Sequence, residues 1–319
     1  KEFKVLSPEL IHLLKINKEN NEHTFLFCGR KGLFPSTICS DCGRVVVCNN
    51  CNSPVVLYGK KTTQNKNLFV CHHCGERRDA AELCKYCGGW RLTPMGIGIE
   101  RVAEEIEAVI KDPNIIIMDK DHIKTHKQAV KARTDFYSTP GSIMLGTEMA
   151  LTYLNQKIEN AGVVSIDSYF SIPDFQINEK IFQILLSMKA LVDKKFIIQT
   201  RQENTKIFDY AIQGNLIDFY RDEIEDRKAT GYPPFATYIK ISLTGEKTKI
   251  KNKMEELKEF FKPHALEVYD AWSPGSNKNF TINGLIGVQK KKWVDIELLK
   301  KLKLLTPDFI IKVDPVTLL

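Results

Sequence analysis

The chain has 319 residues, enough for about two ordinary domains, and its 43% hydrophobic and 27% charged content is that of a globular protein with material for a core. No apolar run approaches the ~18 residues of a spanning helix and no signal peptide precedes the first helical pattern, so membrane and secreted roles are not expected. The formal charge of +7 would fall to +3 if eight of the nine cysteines bound two zinc ions as thiolates, and the excess then lies in residues 226–319, with 17 basic and 11 acidic side chains.

Ser7-Pro8 reads as a cap followed by proline at the first helical position, opening a helix to about Lys18. A short apolar strand follows at 23–28. After a cysteine-rich segment, a glycine turn at Gly96 and Gly98 leads into a helix over 99–111, where Val102, Ile106, Val109 and Ile110 keep helical spacing. Strands are predicted at 115–119, 142–145 and 163–166, a helix at 178–191 and a strand at 196–199. Short aliphatic strands alternating with helices argue for a parallel sheet covered on both faces. A helical stretch over 205–228 ends at the breaker Gly231-Tyr-Pro-Pro234. Beyond it come strand 236–243, helix 248–262, strands 265–270 and 280–288, helix 293–304 and strand 308–313, a small α+β domain. The expected fold class is α/β, with segments 1–35 and 96–225 forming one lobe, 36–95 an insertion, and 226–319 a C-terminal domain.

The strongest chemical signal is a series of four knuckles: Cys39-x2-Cys42, Cys48-x2-Cys51, Cys71-x2-Cys74 and Cys84-x2-Cys87. A two-residue spacer lets two thiolates from one tight turn reach one tetrahedral ion at about 2.3 Å. Gly43, Gly75 and Gly88 follow three of the knuckles, where the turn favours positive φ, and Asn52 follows the fourth. Cys48, Cys51, Cys71 and Cys74 fit the spacing of a two-knuckle site, because 55–58 and 68–70 read as a hairpin that joins its ends. Cys39, Cys42, Cys84 and Cys87 then pair by elimination, giving two nested structural zinc sites with no open coordination position. His72 and His73 are expected at the surface, since eight thiolates already fill both shells, and Cys28 is expected to be a buried thiol on its apolar strand.

No phosphate loop is present. The nearest match, Pro54-x4-Gly59-Lys60-Lys61, lacks the first glycine and the hydroxyl that would hold magnesium. No Asp-Glu-x-His box, hydrolase triad or complete dinucleotide fingerprint occurs either.

With these pieces assembled, the chain resembles the C-terminal part of the PriA family, superfamily 2 helicases of replication restart. The resemblance rests on Leu6-Ser-Pro8, Phe25-Leu-Phe27, Arg30-Lys-Gly-Leu-Phe-Pro35 and the four knuckles with Cys71-His-His-Cys74. It continues through Gly96-x-Gly-x-Glu100, Met118-Asp-Lys-Asp121, Leu145-Gly-Thr-Glu-Met149, Pro173-Asp-Phe175, Glu225-x-Arg-Lys228, Tyr232-Pro-Pro-Phe235 and Val313-Asp-Pro315. It implies a RecA-like second helicase lobe, a two-zinc insertion and a C-terminal domain. It also implies a cytoplasmic, nucleoid-associated role with branched or single-stranded DNA and with primosome and replication proteins. ATP and magnesium would enter only with a first lobe, and the chain opening on Lys1 reads as a fragment or a shortened relative.

Two departures bear on activity. The family's Gln-x-x-Gly-Arg-x-Gly-Arg segment, whose arginines reach the γ-phosphate, is replaced by Ser187-Met-Lys-Ala-Leu-Val-Asp-Lys194, with Leu191 and Lys194 in the arginine positions. The Gly-Thr-Gln motif survives as Gly146, Thr147 and Glu148, and the Lys-Gly-x-x-Phe stretch is replaced by Tyr153-Leu-Asn-Gln-Lys157. Losing an arginine finger costs about 10³ or more in turnover. Two functions follow: part of a DNA translocase completed elsewhere, or an ATPase-inactive platform for fork DNA and primosome partners, the latter favoured for this chain alone. The DNA candidates are Lys290, Lys291 and Lys292 beside Trp293, and Lys278 with Phe280, cations for phosphates and aromatic faces for unpaired bases. Cations at the start of a helix oppose its dipole, which points to another purpose for the lysine run.

Overall fold

The computed structural model describes the chain except for residues 1–3, 30–35, 50–54, 59–66, 71–75, 81–82, 96–98, 173, 201–205, 271–279 and 319. The chain divides into two compact units, one of residues 1–172 and 177–215 and the other of 173–176 and 216–319.

The first unit runs α1 (Pro8–Glu19), β1 (Thr24–Cys28), β2 (Ser36–Cys39), β3 (Val56–Tyr58), β4 (Leu68–Val70), β5 (Arg77–Asp79), β6 (Leu92–Met95), α2 (Ile99–Val109) and β7 (Ile115–Met118). It continues with α3 (His126–Ser138), β8 (Ile143–Gly146), α4 (Glu148–Tyr153), β9 (Ile158–Ser165), α5 (Ile177–Leu191), β10 (Val192–Ile198) and α6 (Lys206–Gln213). Strands β10, β9, β1, β8 and β7 lie side by side in that order, all parallel. All five residues of β1 are buried, which is why it reads as an unbroken apolar run rather than an alternation. Leu10 and Leu14 of α1 join Val102 and Ile106 of α2 over Leu26, Ile143 and Leu145 in one continuous core. Burying each such side chain contributes roughly 1.5–3 kcal/mol.

Helix α1 starts where the sequence places it, with Ser7 Oγ accepting the Leu10 N–H and Pro8 at the first position. Helix α3, between β7 and β8, is an element the hydrophobic period does not announce, because only Ala129 and Phe136 of it are buried. Its start is set by a capping box, Thr125 with Gln128. The helical stretch expected over 205–228 is two helices, broken at Gly214 with φ of 71°.

Between β1 and α2 lies the cysteine segment. Strands β2 and β6 pair antiparallel, so the chain leaves and returns side by side. Within it β3 and β4 form the expected hairpin, and β5 adds a third antiparallel strand that the sequence pattern does not announce. Among the described residues, one apolar cluster of the segment is Cys48, Val55 and Phe69, with Val46, Leu57, Ala80 and Leu92 packed against them.

The second unit contains α7 (Leu216–Thr230), β11 (Ala236–Gly245), α8 (Lys247–Phe260), β12 (Glu267–Asp270), β13 (Phe280–Gln289), α9 (Ile296–Lys303) and β14 (Phe309–Val313). Its four strands form an antiparallel sheet in the order β12-β13-β11-β14. Ile239, Ile241, Leu243, Ile282 and Ile286 share one core with Met254 and Leu257 of α8 and Leu298 and Leu302 of α9. On α7, Arg227 donates to Glu223 at 2.9 Å, and its guanidinium lies 5.0 Å from the Phe175 ring centroid.

Candidate metal centre

Cys39 ends β2, Cys42 closes the turn after it, and Cys84 and Cys87 bracket the turn before β6. The pairing of β2 with β6 brings the two turns together: the Ser40 N–H donates to the Arg91 carbonyl at 2.8 Å, and Cys39 stands opposite Leu92. The four sulfur atoms lie within 4.8 Å of one another. Cys39 and Cys87 approach to 3.5 Å, and Cys42 and Cys84 to 3.7 Å. A tetrahedral ion with bonds of about 2.3 Å spaces its sulfurs about 3.8 Å apart, so the cluster fits one such ion. Cys39 and Cys84 are buried, whereas Cys42 and Cys87 face solvent.

Both turns are built alike. Gly43 donates its N–H to the Cys39 carbonyl, Gly88 to the Cys84 carbonyl, each at 2.8 Å, with φ of 75° and 71°. A side chain at Gly88 would meet nothing within 4 Å, so only the backbone conformation demands glycine there. Gly88→Ala is therefore expected to cost about 1–2 kcal/mol. A chelator-competition titration should register this as roughly 5–30-fold weaker metal retention.

The thiols do not titrate alike. Burial pushes the Cys84 thiol up, but the N–H groups of Cys87 and Tyr86 and the neighbouring thiols outweigh it, holding it at about 7. The Gly89 N–H lowers Cys87, yet hydrogen bonding with Cys42, burial and the other thiols carry it to about 12. Four thiolates in this space repel one another, and a divalent cation is what would let all four ionise.

Of the second expected site, Cys48 is described and buried; its sulfur lies 2.6 Å from a Glu76 carboxylate oxygen. Cys51, Cys71, Cys74, His72 and His73 lie outside the described residues. Cys28 is fully buried, as its strand implies.

Gly146, Thr147 and Glu148 sit where β8 turns into α4, at the carboxyl end of the parallel sheet. A Cβ at Gly146 would collide with Ala150 and Phe25, so this close approach admits only glycine. Glu148 accepts the Tyr169 hydroxyl at 2.7 Å and pairs with Lys180 at 3.4 Å. At the arginine positions, α5 ends on Leu191 and β10 begins on Val192, with no residue between them. Lys194 pairs with Glu22 at 2.6 Å, just before β1 and so at the opposite, amino end of the sheet from Glu148.

The DNA candidates do not form one patch. Phe280 opens β13 and Lys290 follows its last residue, so the two groups lie roughly 30 Å apart along the strand. Lys278 lies outside the described residues. Lys290–Lys292 form an exposed 3-10 turn, with Lys290 Nζ 3.3 Å from Thr237 Oγ1. Trp293 packs against the domain core. The helix does not begin at 293: α9 starts at Ile296 behind an Asp295 cap that accepts the Leu298 N–H at 2.9 Å. The lysines thus precede the helix, whose amino end carries acids, and they do not oppose its dipole as expected. The start of α8, basic at Lys249 and Lys251, lies beside Phe280 through the pairing of Phe280 with Gly245. The alternation of lysines there was a readable signal.

The chain has relatives among known proteins. It is 27% identical over 307 residues to the replication restart protein PriA of Thermotoga maritima, covering 94% of this chain and 41% of that protein. To PriA of Rickettsia felis it is 30% identical over 247 residues, 75% of this chain and 37% of the relative. PriA of Borreliella burgdorferi gives 26% over 247 residues, 76% and 36%. The chain is similar to the C-terminal portion of PriA. It spans about two fifths or less of these three PriA proteins. No family model matches it. Among the described residues, no helix is long and apolar enough to cross a membrane.

Proposed function

We propose that the chain works in PriA-type replication restart, with residues 1–35 and 96–225 as a RecA-like second helicase lobe, 36–95 as a two-zinc insertion and 226–319 as a fork-DNA-binding domain. The observation that carries this reading is the interruption of a parallel five-stranded α/β unit, between β1 and α2, by a segment whose first and last knuckles converge on one site. The first site is formed by Cys39, Cys42, Cys84 and Cys87 and the second by Cys48, Cys51, Cys71 and Cys74. Zinc held by four thiolates has no open position, so its role is to fold the insertion, not to catalyse. The expected location is the cytoplasm, at the nucleoid, with primosome and replication proteins as partners.

Within that framework the chain acts as a DNA and primosome platform rather than a motor. The direct junction of α5 and β10 supports this, because it leaves no glycine-rich loop to carry two arginines, and Lys194 is engaged by Glu22. Lysine is also a poor substitute for a guanidinium fork. The purified chain should show no DNA-stimulated ATP hydrolysis above background, and arginines at 191 and 194 should not create it. A phosphate-release assay with fork DNA tests this; turnover that follows the protein through purification would overturn it.

A further inference from the structure

The two trailing knuckles share more than their cysteines. Cys71-His-His-Cys-Gly-Glu-Arg-Arg78 and Cys84-Lys-Tyr-Cys-Gly-Gly-Trp-Arg91 both read Cys-x2-Cys-Gly-x2-Arg, with an arginine four residues after the second cysteine. In both cases that arginine reaches back to the leading knuckle. Arg91 Nε donates to Asp41 Oδ1 at 2.9 Å, and its NH2 group contacts the same oxygen. Asp41 lies between Cys39 and Cys42, and its other oxygen stands 4.0 Å from the Cys39 sulfur. Gly89 makes the approach possible, since a Cβ there would collide with the Asp41 carboxylate. Arg78 donates to the Val47 carbonyl at 2.9 Å, one residue before Cys48, and its NH1 lies 3.4 Å from Glu76 Oε2. That same Glu76 oxygen accepts the Asn49 N–H at 3.1 Å and lies 2.6 Å from the Cys48 sulfur.

We propose that Arg91 is a positioning residue for the outer metal site, which locks its leading knuckle against its trailing one and sets how tightly that ion is retained. The proposal rests on the reading that the knuckles hold metal. Its physical basis is twofold. The knuckles of the outer site meet where β2 pairs with β6, and beyond that pairing Arg91 adds a side-chain cross-link, with two guanidinium nitrogens on one oxygen of Asp41. A carboxylate beside a cluster of thiolates also needs a cation to neutralise it, and Arg91 meets that of Asp41. Partners of this kind around a metal's ligands typically alter affinity about 10–100-fold.

The test uses the full chain loaded with zinc and follows transfer of the metal to an excess of a chromophoric chelator. Arg91→Ala should accelerate loss of one zinc equivalent about 10–100-fold and leave the other at the parent rate. Arg91→Lys should fall nearer to Arg91→Ala than to the parent, because the point charge cannot make the two-point hold. Asp41→Ala combined with Arg91→Ala should lose zinc no faster than Arg91→Ala alone, as for residues acting through one contact. Cobalt-loaded variants should keep tetrathiolate absorption, and far-ultraviolet circular dichroism should be unchanged. Parent-like rates in Arg91→Ala, or its acceleration of both equivalents, would overturn the proposal. A parent chain that loads no zinc overturns the metal reading itself, and loading of the parent tells the two failures apart.

Discussion

Cys84→Ser should reduce the zinc content of the purified chain from two equivalents to one and unfold the outer end of the insertion. Cys84 is buried, is held low, at about 7, and has its sulfur 3.7 Å from that of Cys42. A serine hydroxyl stays protonated at neutral pH and leaves three thiolates around the ion. The insertion has little to fall back on, since among the described residues its buried apolar side chains are Ile38, Val55, Val56, Phe69 and three cysteines. Structural zinc contributes about 10–16 kcal/mol to the folding of small domains of this kind. Strong chelation of the unaltered chain should go further and remove both ions. Amide hydrogen exchange should then show lost protection in β2 to β6 and retained protection in β1, β7, β8, β9 and β10, whose core lies in the α/β unit. Because metal binding releases protons from the thiols, retention should also weaken as pH falls. Elemental analysis finding one zinc in the unaltered chain, or loss of protection in the parallel sheet on chelation, would contradict the two-site insertion.

The legible parts of this chain are those where one physical rule acts alone. A parallel strand buried on both faces is mostly apolar, so Phe25-Leu-Phe27 and the 143–146 strand announce themselves. A cysteine knuckle needs its glycine, and Gly43 and Gly88 adopt the positive φ that their position implies. Helix α3 was hidden because it buries two side chains in thirteen residues, and the Thr125–Gln128 capping box was the only local signal of its start. Strand β5, Arg77–Asp79, was hidden for a different reason: three polar residues become a strand only because β4 offers them an edge. The spacing of apolar Trp293 predicts an earlier start for α9 than the structure shows, because Asp295 holds the cap. At the candidate site, spacing and hairpin logic point to the outer four cysteines as a group, but not to Asp41, Gly89 and Arg91, whose roles appear only once β2 and β6 lie side by side. Lys194 illustrates the converse, since the motif register alone puts it in an arginine's place and the fold gives it to Glu22.

Alanine at Lys290, Lys291 and Lys292 together should weaken binding to single-stranded and forked DNA roughly tenfold or more at low salt. It should also lower the slope of log affinity against log salt by about 2, from roughly 0.7 per lost phosphate contact on a single strand. The three side chains are exposed on a short turn, where Lys290 Nζ reaches the Thr237 hydroxyl at 3.3 Å. The aromatic partners then separate two modes of contact. Trp293 packs against the domain core, so Trp293→Ala should lower the thermal midpoint of the second unit and affect DNA only through that loss. Phe280 is 41% exposed at the far end of β13, beside the first turn of α8, where Lys249 pairs with Glu246 at 3.1 Å and Lys251 faces solvent. If the strand of DNA runs along the domain from one end to the other, Phe280→Ala should cost about 1–3 kcal/mol for one stacked base, with little change in salt slope. Fluorescence anisotropy across a salt series reads both quantities for each variant. A triple-alanine chain that binds forked DNA as tightly as the parent at low salt, with an unchanged slope, would remove this turn from the DNA site and leave the α8 end as the surface to which the basic excess of residues 226–319 points.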